Sequence, residues 1–155
     1  MSTLVATVRA DEQNLPLFLH ILGATILVGG LFTSAAALTS AQGDARWLRR
    51  GYWSLLVISV PGWVLMRLGA ESIYSEQGWD DLPEDFEQPT WLGIGFAVAD
   101  LGGLLLLLTL VVGGIGVFRL RAGKGSGLLR ATLILALVLL AAYLVAAWAM
   151  AGKPD

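Results

Sequence analysis

Residues 15–38, LPLFLHILGATILVGGLFTSAAAL, restrict this chain more than any other part of it. A predominantly apolar run of this length meets the about 20 residues that a helix needs to cross a hydrocarbon core of about 30 Å. Three further runs do the same, at residues 52–70, 91–118 and 128–150. Composition agrees: the chain is 56% hydrophobic and only 14% charged, with a mean hydropathy of +0.72. A water-soluble domain has too little interior to hide that much apolar surface. In hydrocarbon each backbone polar group must be satisfied within its own segment or in a closed barrel, and four segments are too few to close one. The expectation is an all-α transmembrane up-down four-helix bundle forming one domain over residues 1–155. The leading MSTLVATVRADEQN has one arginine against two acids and no basic n-region, so the first run reads as a retained span and not a signal peptide.

Charge is nearly balanced overall, at −2, but unevenly placed. The first connection carries Arg46, Arg49 and Arg50, and the third carries Arg119, Arg121, Lys124 and Arg130. The second, residues 71–90, holds Glu71, Glu76, Asp80, Asp81, Glu84, Asp85 and Glu87 with no lysine or arginine. Positive connections stay cytoplasmic. The sequence therefore predicts an N-out, C-out membrane protein, its acidic loop outside and its basic loops in the cytoplasm. Trp47, Trp53, Trp91, Trp148 and Tyr74 fall near the predicted interfaces, where aromatic anchors belong. Tyr74, Trp79 and Phe86 interleave with the acids of the outer loop, which lacks the spacing of a calcium-binding loop. Pro61-Gly62 predicts a bend in the second helix.

Polar groups inside the spans cost about 2.5–3.5 kcal/mol each at a helix centre, so each calls for a reason. His20, the single histidine, lies about 7–8 Å into the first span, and Asp100 about 13 Å into the third, at 1.5 Å per residue. Arg67 sits near the outer end of the second. His20, Gly23, Ala24, Leu27, Gly30 and Ser34 share one helix face, as do Gly93, Ala97, Asp100, Gly103, Leu107 and Gly114. Small residues align where helix backbones approach. Both faces are therefore expected to turn inward, meeting in a polar pocket in the outer half of the bundle with Trp63, Met66, Arg67 and Tyr143 alongside. A purely structural reading has His20 donating to a group on the third helix, and Asp100 either neutral or paired with Arg67, fixing helix register. Two functional readings stand beside it. In one, His20 ligates haem, or copper together with Met66 and Asp100, since imidazole and thioether suit both metals. In the other, His20 and Asp100 form a proton or cation path.

The string LHILGATILVGGLF, with a histidine, a glycine three residues on and a later Gly29-Gly30 pair, resembles the first helix of CopD-like bacterial membrane proteins. The four-helix layout and the closing stretch from Trp148 to Pro154 are similar to an allied family of predicted integral membrane proteins. That resemblance implies copper handling or haem chemistry, and only His20 carries over from its pattern. Leu27-Val28 stand where an aromatic residue commonly precedes the glycine pair. No P-loop, GxSxG, HExxH or dinucleotide fingerprint is present, and there is no cysteine. The basic loops suit anionic lipid better than nucleic acid. The reading is a non-enzymatic membrane protein with a small-ligand or cofactor site at His20, Asp100, Met66, Arg67 and Tyr143. Its expected partners are the lipid bilayer and a second copy or a larger membrane complex.

Overall fold

The computed structural model describes residues 14–78 and 89–153. They form four long helices, α1 (Asn14–Ser40), α2 (Ala45–Glu76), α3 (Thr90–Arg119) and α4 (Ser126–Gly152), each long and apolar enough to cross a membrane. No strand occurs among the described residues. The acidic connection at Asp80, Asp81, Glu84, Asp85 and Glu87, with Trp79 and Phe86, lies outside them, as does Pro154.

Each span encloses the run that predicted it, and α2 exceeds its run most, starting at Ala45 instead of residue 52. Arg46, Arg49 and Arg50 thus belong to the first turns of a helix rather than to a loop. Only Ala41–Asp44 turn the chain, with Gln42 at φ 41° and Gly43 at φ 90°. Asp44 then starts α2, its carboxylate accepting from the Arg46 amide at 2.8 Å. Between α3 and α4 a short 3-10 turn, Leu120–Ala122, leads through Gly123 and Gly125. Gly125 has φ +110° and abuts the Gly116 carbonyl, so a side chain fits there neither conformationally nor sterically.

These tight connections make α1–α2 and α3–α4 antiparallel hairpins, and α1 also packs along α4 to join them; α2 and α3 meet more sparingly. The order is that of an up-down bundle. Leu27, Leu31, Leu55, Met66, Leu106, Leu139 and Tyr143 form its main core. Leu38, Ala41, Leu48 and Leu129 form a smaller one beside the tight connections. Outward, α3 presents Leu101, Leu104, Leu107, Leu108, Val111, Ile115 and Phe118, all exposed. A helix apolar on its outer face as well as its inner one has hydrocarbon as its natural solvent.

The irregularity in α2 falls just before Pro61, not at it. Leu55–Ser59 is π-helical, and the Val60 amide reaches back to the Leu55 carbonyl. Proline offers the ladder no donor and crowds the carbonyl four residues earlier, and a turn widened by one residue relieves that crowding. Ser59 in this turn is fully buried against Gly30.

Candidate polar site at the acidic end

The close approach of α1 to α2 sets the position of His20. At Gly23, Gly62 and Gly69 the two helices touch backbone to backbone: a Cβ at Gly69 would stand 2.5 Å from the His20 nitrogen and 2.9 Å from its Cα. The half-buried imidazole consequently reaches across to α2, with Nδ1 2.9 Å from the Met66 carbonyl oxygen. A carbonyl only accepts, and it has a second lone pair beyond the one used in the helix ladder. Nδ1 therefore carries the proton, and Nε2 presents a lone pair with no partner among the described residues. The Met66 side chain points elsewhere, into the main core with Leu27, Ala99 and Tyr143.

Arg67, the next residue, serves the other neighbour. Its Nη2 lies 2.7 Å from Glu71 Oε1 and 3.0 Å from Asp100 Oδ1, joining α2 to α3. The guanidinium also lies over the Phe96 ring, 5.5 Å from its centroid, and Phe96 meets Tyr74 edge to face at 5.0 Å. Below this pair, Trp63 Nε1 donates to the Ala99 carbonyl at 3.1 Å. Tyr143 is buried, its hydroxyl seated over Gly102, where a Cβ would come within 2.6 Å. That hydroxyl and Arg67 Nη1 are buried without a hydrogen-bond partner.

The inward face expected for α1 is the observed one, since Gly23, Leu27, Gly30 and Ser34 are all buried. The face expected for α3 requires correction. Its buried side runs through Leu92, Gly95, Ala99, Gly102, Gly103 and Leu106. Asp100 is 57% exposed, beside outward-facing Leu101 and Leu104. A Cβ at Gly93 would meet no other part of the protein within 4 Å. His20 and Asp100 thus engage α2 at consecutive residues, one through the Met66 carbonyl and the other through the Arg67 side chain. No contact links the two among the described residues. Phe96 and the Met66 carbonyl were not expected at the site. The first is an unremarked aromatic in an apolar run, and the second belongs to the backbone, which no side-chain pattern reveals.

This arrangement supplies one imidazole lone pair and, separately, an ion-paired staple. No group of three or more His, Cys, Asp or Glu side chains suited to a metal occurs among the described residues. A copper site built from His20, Met66 and Asp100 does not fit, because the thioether is in the apolar core and the carboxylate is spent on Arg67. A haem would find one axial nitrogen at His20 and no second histidine, since the chain has one. Comparison of the chain with protein-family models, with curated proteins and with solved structures finds no match.

Proposed function

We propose that this chain is a non-enzymatic multi-pass protein of a bacterial inner membrane that holds a small ligand at His20, acting as an accessory subunit of a larger membrane complex or of a homo-oligomer. The orientation proposed is N-out and C-out. It is supported by the gathering of Arg46, Arg49, Arg50, Arg119, Lys124 and Arg130 at the end with the tight connections, while Glu71 and Glu76 lie at the other. Cysteines placed singly at Gln42 and Gln77 test it: a membrane-impermeant thiol reagent should label the second in intact cells and the first only after lysis.

The ligand part rests on one observation, an imidazole tethered through Nδ1 with its Nε2 lone pair free of protein donors. This is how proteins orient a histidine that serves something else. The resemblance to CopD-like proteins points to the same residue. Native mass spectrometry and an absorption spectrum of the detergent-purified protein test the reading. An adduct lost in His20→Ala but kept in Asp100→Asn supports it, and a Soret band with that behaviour identifies haem as the ligand. A protein that carries no adduct, or one indifferent to His20→Ala, leaves His20 a packing group and overturns it.

A further inference from the structure

The tight-turn end of the bundle has an excess of positive charge that the protein does not answer. Among the described residues, Arg46, Arg49, Arg119, Lys124 and Arg130 form no ion pair, and Arg50 meets only the face of Trp47, at 5.1 Å. Asp44 is the one acid in the two connections, and its carboxylate caps α2. Into this end opens a cleft of about 170 Å³ between the α1–α2 turn and the start of α4. Its walls are apolar, with Leu38, Leu48, Leu129 and Leu133, and its rim carries Gln42 and Arg130. Arg130 is exposed there with its charge unspent. An apolar slot with a cationic mouth, set at the end of four spans, has the shape and charge pattern of an amphiphile with an anionic head.

We infer that this cleft is a binding site for an anionic phospholipid: the first methylenes of one acyl chain enter beside Leu133, and the headgroup phosphate meets Arg130. Charge complementarity selects the lipid class, because a zwitterionic headgroup brings its own cation and leaves the arginine excess unneutralised. The site is independent of the His20 reading, which is tested at the opposite end of the molecule.

The test uses the full chain, delipidated in a neutral detergent, titrated with phosphatidylglycerol, with phosphatidylcholine of the same acyl chains, and with inorganic phosphate. Binding is followed by native mass spectrometry. Phosphatidylglycerol should bind in preference to phosphatidylcholine, and Arg130→Gln should weaken it about fivefold, the worth of one basic residue against an anionic surface. Arg49→Gln, equally basic but outside the cleft, should weaken it less than about twofold, the remainder left by screening. Leu133→Phe narrows the slot and leaves every charge in place, so it too should lower phosphatidylglycerol binding. Equal binding of the two lipids, equal effects of Arg130→Gln and Arg49→Gln, or indifference to Leu133→Phe would each overturn the assignment. Full competition by millimolar phosphate would also overturn it, by showing a phosphate site with no role for the acyl chain.

Discussion

At Gly23, Gly62 and Gly69, between α1 and α2, the glycines face backbone; at Gly95, Gly102 and Gly116, between α3 and α4, they face side chains. A Cβ at Gly62 would stand 2.5 Å from the Leu27 nitrogen, and one at Gly23 would overlap the Met66 backbone. Across the other hairpin, Gly102 receives the tip of Tyr143, Gly95 the terminal methyl of Met150, and Gly116 the branch of Leu129. In the first hairpin the absent side chain sets the distance between two main chains. In the second it leaves a recess that a side chain of the partner fills. Main chains cannot move out of the way without moving a helix, whereas a side chain can change rotamer. His20 sits on the unyielding seam, and Tyr143 and Asp100 sit on or beside the yielding one.

The largest effect should come from breaking the backbone seam. Gly69→Ala forces apart the helices at His20 and should cost about 3 kcal/mol, the upper end of what overpacking does. It should also lengthen the Nδ1 contact to Met66, so any ligand adduct at His20 should weaken with it. Unfolding in mixed micelles measures the first effect and native mass spectrometry the second. A cost below about 1 kcal/mol would mean that α1 and α2 separate easily at this seam and that it is not rigid.

Gly102→Ala should be milder, about 1–2 kcal/mol, because the Tyr143 ring can shift. Tyr143→Phe alone should be neutral or slightly stabilising, since its buried hydroxyl has no partner to lose. Combined with Gly102→Ala it should recover part of the loss, a coupling that a double-mutant cycle reads directly. A Tyr143→Phe cost above about 1 kcal/mol would mean that the hydroxyl is satisfied by bound water or ligand. Trp63→Phe should follow at about 1 kcal/mol, for the one hydrogen bond to Ala99 that helps hold the sparse α2–α3 seam.

The same contrast explains what could be read from the residues alone. The spans were legible because twenty or so apolar residues have few other uses. Their ends were not, since Arg46 to Arg50 are polar enough to resemble a loop yet continue a helix beyond the apolar run. The inner face of α1 was legible because Gly23, Gly30 and Ser34 lie on one side and are all buried, Gly23 against the Met66 backbone. On α3 the glycines at 93, 95, 102, 103, 113, 114 and 116 are spread around the helix, so small size marks more than one face, and the one through Gly93, Ala97 and Asp100 is not the buried one. Small neighbours on its face predict an inward Asp100, whereas the structure turns it out toward Arg67. Arg67 was within reach of the sequence argument as a register-fixing partner, but the Met66 carbonyl beneath His20 was not.

The smallest effect is expected within a single dipeptide, and it sharpens the comparison most. Gly29 and Gly30 are adjacent and chemically identical, yet a Cβ at Gly29 meets nothing within 4 Å. One at Gly30 stands 2.5 Å from Ser59 Oγ and 2.9 Å from the Ser59 amide nitrogen. Gly29→Ala should therefore leave stability within about 0.5 kcal/mol of the parent, as substitutions clear of packed contacts do. Gly30→Ala should cost about 1–2 kcal/mol, less than Gly69→Ala, because Ser59 Oγ can rotate away whereas the Ser59 amide nitrogen cannot. Should the two substitutions prove equal, the seam would be held by average helix spacing and not by the particular glycines that face it.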